Sequence, residues 1–187
     1  MKGCKALVIG GSAGSLEVLL KVLPDLSSDL SFPIIIVVHR KQGTDFLLAD
    51  LLSSKTALKV KEVEEKEEIN AKTIYIAPSD YHLLIEKDFS FSLDYSEKIN
   101  YSRPSIDVTF QSAAEVYIDR LACLLLSGSN ADGVNGLTIV KRYGGLTLAQ
   151  DPSTASMPYM PEQAILSVEI DQILKTEDMA NYINSLV

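Results

Sequence analysis

The stretch that most constrains this chain is Gly10-Gly11-Ser12-Ala13-Gly14, set between two apolar segments of different period. Ala6, Leu7, Val8 and Ile9 before it form a continuous run of strand length. Leu16, Leu19, Leu20 and Leu23 after it recur at helical spacing, so residues 15–23 read as a helix. A strand that turns at once into a helix fits the pattern G-x-S-x-G, in which small neighbours let the backbone bend and lift the serine hydroxyl above the sheet edge. The N–H groups at the helix start then face any negative charge that develops there. Gly-rich turns of this kind also bind nucleotide phosphates. The fingerprint G-x-G-x-x-G is not met, because Gly10 and Gly11 are adjacent and Ser12 takes the next place. The phosphate loop fails as well, because Ser15-Leu16 follows Gly14 where a lysine is required. On this stretch alone, nucleophile and phosphate-binding turn both stay open.

Further apolar runs at 33–38, 58–63, 73–77, 121–126 and 146–149 read as strands, and the runs 82–86 and 89–94, joined by Lys87-Asp88, read as an antiparallel hairpin. Helices are expected over 46–52, with Thr44 or Asp45 as cap, over 106–118 with Ser105 as cap, from about 133 to Tyr143, and over 177–186. The helix at 106–118 has Ile106, Phe110, Ala113, Ala114 and Tyr117 on one face. Residues 151–161, DPSTASMPYMP, read as a proline-containing loop. The predicted fold class is α/β: a doubly wound, mostly parallel sheet with helices on both faces and one antiparallel β-hairpin.

With 187 residues the chain is the size of one domain. Its net charge of −8 argues against nucleic-acid binding. No apolar run reaches the roughly 18 residues of a membrane span, and the N-terminus lacks a secretory cleavage pattern, so a cytoplasmic protein is expected. Cys4 and Cys123 show no metal-ligand spacing, and Cys123 within an apolar run reads as a packed thiol.

Ligands of open parallel sheets sit outside the carboxyl ends of the strands, where Ser12, His39 and Asp132 all fall. A serine needs a base, imidazole suits that task near neutral pH, and a carboxylate fixes the imidazole's tautomer. Each residue also has a structural reading: His39 as a loop histidine, Asp132 as a cap for the helix after it. His82, the other of the two histidines, enters the hairpin and reads as structural. The order Ser, His, Asp excludes an ordinary α/β-hydrolase, whose histidine comes last.

GGSAGS, VVHR, YIAPSDYHL, RPSIDVTF and LLSGSNADGVNG occur in that order, followed by LTLAQDP and MPEQAI. Together they resemble the catalytic domain of CheB-type protein-glutamate methylesterases, the enzymes that demethylate bacterial chemoreceptors, over essentially the whole chain. The resemblance implies Ser12 as nucleophile, His39 as general base and Asp132 as its orienting carboxylate, with the backbone N–H groups of Ala13 and Ser129 as oxyanion donors. It implies hydrolysis of glutamate γ-methyl esters on a chemoreceptor-like protein, with glutamine deamidation as a second activity, and no metal or organic cofactor. Three positions depart from the family pattern: Ala13 replaces a hydroxyl residue, Ser129 a frequent methionine, and Tyr159 a glycine. Such enzymes usually carry an N-terminal receiver domain. Met1 lies only a few residues before the first strand, so residues 1–187 are expected to be a single catalytic domain, regulated by a separate receiver-type protein if at all.

The substrate expected here is a side chain on a protein surface, because the chain offers little material for a deep acyl pocket. Polar loops at 40–44, 100–105 and 151–161 would surround the site. Arg40 and Arg103 would meet acidic neighbours of the substrate residue, an attraction weakened by salt; bracing of its own loop is the other reading of Arg103. The rival class is a non-catalytic module that binds a phosphate-bearing ligand at residues 10–14.

Overall fold

The computed structural model describes residues 3–40 and 45–187. The expected cap at Thr44 and the polar loop at 41–44 lie outside them. Seven strands form one sheet in the order β3-β4-β2-β1-β7-β8-β9, and every neighbouring pair is parallel. In chain order they are β1 (Ala6–Gly11), β2 (Ile34–Val38), β3 (Lys59–Glu62), β4 (Thr73–Ile76), β7 (Leu121–Leu125), β8 (Leu146–Gln150) and β9 (Gln172–Leu174). Between β4 and β7 lies the antiparallel hairpin of β5 (His82–Ile85) and β6 (Phe91–Asp94). The predicted fold class is therefore what the chain adopts.

Strand side chains alternate between faces, and the core divides accordingly. Leu7 and Ile9 of β1 join Ile34 and Ile36 of β2 on one face, under α1 (Ser15–Val22), α2 (Asp45–Ser53) and α6 (Thr176–Asn184). Ala6, Val8, Ile35 and Val37 pack on the other, with α3 (Ile106–Tyr117), α4 (Val134–Arg142) and α5 (Tyr159–Ser167). Strands covered on both faces have no polar face to show, which explains their unbroken apolar runs. The buried face of α3 carries all five predicted residues plus Thr109.

Two elements depart from the sequence reading. Residues 151–161 contain a 3-10 turn at Pro152–Thr154 and the first turn of α5, and β9 adds an edge strand. Pro161 sits in the first turn of α5, where its missing N–H has no intrahelical partner to lose, so proline here marks a helix start rather than a loop. Strand β9 has only three residues, two of them exposed, too short for a periodic signal. The hairpin connection is also longer than two residues, spanning 86–90 with Phe89 at φ 60°.

The sheet's order turns at β1, with β2 on one side and β7 on the other. That is where a crevice opens beyond the carboxyl ends of an open parallel sheet.

Candidate active site

Ser12 follows β1, His39 follows β2, and Asp132 stands in the loop between β7 and α4, so three adjacent strands deliver the three predicted residues to one crevice. The serine turn is tied down by backbone bonds: Ser12 N–H donates to the Ser127 carbonyl at 2.9 Å, and Ser15 N–H to the Ser12 carbonyl at 3.0 Å. Gly14, the residue before α1, has φ 83°, a left-handed conformation that a side chain would strain. A Cβ there would also lie 2.6 Å from Ser127 Oγ. That hydroxyl stitches the crevice together, donating to the Ala13 carbonyl at 2.8 Å while accepting from Met157 N–H at 2.9 Å.

His39 extends the sheet by one bond, its N–H donating to the Gly11 carbonyl at 3.2 Å. Its Nε2 lies 2.8 Å from Asp132 Oδ2, and only 13% of the ring remains exposed. Asp132 is 1% exposed yet well satisfied. Besides His39 it accepts from Ser105 Oγ at 3.0 Å and from the N–H groups of Ile106, Asp107 and Gly133 at 2.8, 3.2 and 3.1 Å. Burial pushes the Asp132 carboxyl up, but the bonds and charge of His39 and the N–H groups of Ile106 and Asp107 outweigh it and hold the group below the usual carboxylate range. An ionised Asp132 keeps the ring proton on Nε2 and leaves the Nδ1 lone pair for a proton acceptor's work. In the best-known serine triads the carboxylate binds Nδ1 and Nε2 is the base. Here it is Nε2 that lies against the carboxylate.

The capping reading of Asp132 is correct in kind but not in place. Ser105 stands at the start of α3 without capping it; its hydroxyl donates to Asp132, which takes over the first N–H groups of that helix. Asp107 of α3 returns the favour, accepting from Gly133 N–H at 2.9 Å and Gly136 N–H at 2.7 Å at the start of α4. The start of α3 is thus met by a carboxylate from the loop before α4, and the start of α4 by a carboxylate of α3.

Ser12 lines the same cleft as His39, and its hydroxyl has no hydrogen bond within the described residues. Nδ1 of His39 instead lies 3.4 Å from Ser102 Oγ, a long contact that sequence reasoning missed because NYSRPS carries no signal beyond that of a loop. The N–H groups of Ala13 and Ser129 have no acceptor among the described residues, and both residues are exposed. With the N–H groups of Ser12 and Ser15 bonded internally, the turn at residues 10–14 is a poor cradle for a phosphate, which needs several converging donors.

Both predicted arginines have partners within the protein. Arg40, its side chain 8% exposed, donates to Glu62 Oε2 at 2.8 Å and to the Ala77 carbonyl at 2.7 Å. Arg103 spends its fork on Asp80 and on the carbonyls of Tyr95 and Ser96, with the Tyr95 ring 3.9 Å from its guanidinium carbon. The bracing alternative is the one the contacts of Arg103 match. Both arginines nonetheless line a polar cleft of about 330 Å³ beside His39, together with Ser102 and the exposed Lys98 and Tyr101. A cleft of about 340 Å³ opens beside Ser12 and His39, walled by leucines of α1 and α2.

His82 is buried and bonded at both ring nitrogens, Nδ1 accepting from Ser105 N–H at 3.1 Å and Nε2 donating to the Glu97 carbonyl at 2.9 Å. It clamps the hairpin to the start of α3, the structural role expected of it. Burial pushes the thiol of Cys123 well up and that of Cys4 to about 11, so both stay packed, unreactive thiols. Among the described residues no helix is long and apolar enough to cross a membrane, and no three His, Cys, Asp or Glu side chains gather as for a metal.

Known proteins are similar to this chain in sequence and in fold. The chain is 45% identical to a Leptospira interrogans protein provisionally named protein-glutamate methylesterase/protein-glutamine glutaminase, covering 94% of this chain and 91% of that one. It is 38% identical to the Thermotoga maritima protein-glutamate methylesterase/protein-glutamine glutaminase over 91% of this chain, but spans only 50% of that longer protein. The crystal structure of the Thermotoga maritima CheB methylesterase catalytic domain superposes with a TM-score of 0.95 at 36% identity, over 98% of this chain and 99% of that one. The CheB methylesterase family profile matches residues 7–183. By sequence along nearly its whole length and by fold, the chain belongs to the CheB methylesterase family.

Proposed function

We propose that this chain is a serine hydrolase that removes methyl groups from glutamate γ-methyl esters on a protein substrate, with Ser12, His39 and Asp132 as its triad. The observation that carries this reading is the His39–Asp132 pair at 2.8 Å, delivered beside the Ser12 turn by adjacent strands. His39 Nδ1 takes the hydroxyl proton as Ser12 Oγ attacks the ester carbonyl. The oxyanion is met by the N–H groups of Ala13 and Ser129, which have no acceptor of their own among the described residues. Collapse expels methanol, protonated by His39, and leaves the glutamyl group esterified to Ser12. Water, giving its proton to the same nitrogen, then releases the free glutamate carboxylate and restores the serine. A glutamine side chain follows the same route with ammonia as leaving group, as the double name of the relatives suggests. Residues 1–187 act in this reading as one catalytic domain in the cytoplasm, with a methylated chemoreceptor as substrate and a receiver-type protein as regulator.

The test is twofold. A fluorophosphonate probe should label the protein at Ser12, read by peptide mapping, and methanol should be released from methylated receptor fragments. Labelling at Ser102, whose hydroxyl lies 3.4 Å from His39 Nδ1, would overturn the assignment of the nucleophile, and absence of labelling would favour a non-catalytic module.

A further inference from the structure

The cleft beside the reacting groups is apolar on a molecule whose substrate was expected to be recognised by charge. Its floor is Leu19, Leu48 and Val38, all buried core residues. Its rim is Leu16 of α1 facing Leu47 and Leu51 of α2, exposed by 39%, 73% and 38%. Ser12 and His39 line the same cleft, so whatever occupies it lies against the bond being broken. The other polar side chains at its edge are committed elsewhere: the Ser15 hydroxyl donates to the Ser12 carbonyl at 2.7 Å, and Arg40 holds Glu62 and Ala77. Among the described residues its lining is mostly apolar. Exposed leucines around a concave, leucine-floored site are the ordinary means of taking up an apolar group. About 340 Å³ is at the small end of ligand sites, enough for a side chain and its attachment rather than a large molecule.

We infer that this cleft is a specificity subsite for an apolar side chain of the protein substrate that neighbours the esterified glutamate. The inference rests on the methylesterase reading and adds to it the chemistry of the flanking residue. Substrate would lie with its apolar side on α1 and α2 and its polar side toward Lys98 and Tyr101, across His39. An amphipathic segment meets both requirements, and burial of its apolar residue orients the ester before reaction.

The experiment uses the full chain and short peptides bearing one glutamate γ-methyl ester, with Leu, Ser or Asp placed in turn at each of the four positions on either side. Methanol release is measured, with p-nitrophenyl acetate as a small reference ester. Leucine at one or more positions should raise kcat/KM by roughly tenfold over serine. In Leu47→Ser that ratio should fall toward one, and in Leu47→Lys it should turn in favour of Asp at the same position, a gain that loss of folding cannot mimic. Equal rates for Leu and Ser peptides, or a Leu preference unchanged in both variants, overturns the subsite and leaves the methylesterase reading standing. A change in oligomeric state without a change in peptide preference marks the leucines as a self-association surface and also overturns it. Hydrolysis of p-nitrophenyl acetate with no release of methanol from any peptide overturns the methylesterase reading, and this one with it.

Discussion

Asp132 serves two structures at once, which makes its replacement informative. Its carboxylate orients His39 through Nε2 and also receives the first N–H groups of α3. Asn there keeps the shape but offers an amide group where acceptors are needed. Asp132→Asn should lower kcat by about 10³- to 10⁴-fold, and it should also lower the melting temperature, because loss of a helix cap costs about 1 kcal/mol. Ser12→Ala should lower turnover by about 10⁴-fold or more while leaving the melting temperature nearly unchanged, since its hydroxyl bonds to nothing among the described residues. Near-normal turnover in Ser12→Ala would remove it as nucleophile. The acid limb of stability follows the same carboxylate. Its folded pKa is lowered, so between that value and the unfolded value of about 3.9 the unfolded chain binds more protons. The stability it contributes is complete above that window and lost as pH falls through it. Thermal melts from about pH 6 down to pH 2 should fall less steeply in Asp132→Asn than in the parent.

At the scale of elements, the starts of α3 and α4 are each met by a carboxylate, and the two respond to pH in opposite directions. Burial pushes the Asp107 carboxyl up, the negative charge of Asp132 adds to that, and the N–H groups of Gly136 and Gly133 oppose it without winning. A raised acid binds its proton more tightly in the folded state, so this group costs stability as pH rises through the window above about 3.9. Asp107→Asn keeps an acceptor for those N–H groups and removes the charge. Its stability relative to the parent should rise across that window and then level off, measured by urea unfolding at a series of pH values. A constant difference would refute the raised pKa. The elbow between β1 and α1 depends on its backbone: Gly14→Ala adds a side chain at φ 83°, where a non-glycine residue costs about 1–2 kcal/mol, and forces Ser127 aside. Both stability and turnover should drop, the latter because Ser127 ties the Ser12 turn to the segment at Met157.

For the whole molecule, charge and topology matter most. With Arg40 and Arg103 each paired to a carboxylate of the protein, the net charge of −8 is what an acidic substrate meets at a distance. Salt screens that repulsion beyond a Debye length of about 8 Å at physiological strength, so kcat/KM on acidic methylated fragments should rise with salt, the reverse of attraction by two free arginines. A fall with salt would mean that Lys98 and its surroundings dominate locally. Much of this architecture was legible in the sequence. Unbroken apolar runs of strand length, helical leucine spacing and the crowded glycines around Ser12 express burial and backbone geometry, which depend on residues near one another in the chain, and the quoted motifs identified the family. The whole of α5 went unread, its start hidden by prolines, and β9 was hidden by its brevity. What the tertiary structure alone decided are contacts between residues distant in sequence. His39 and Asp132 are 93 residues apart and meet because β1 lies between the strands that carry them. The same long-range packing turned Nε2 rather than Nδ1 to the carboxylate, set Ser102 beside the other nitrogen, paired both arginines with carboxylates, and opened a leucine cleft between α1 and α2. Local spacing encodes which face of an element is buried; which side chains then touch is set by strand order and helix placement, and these are properties of the whole fold.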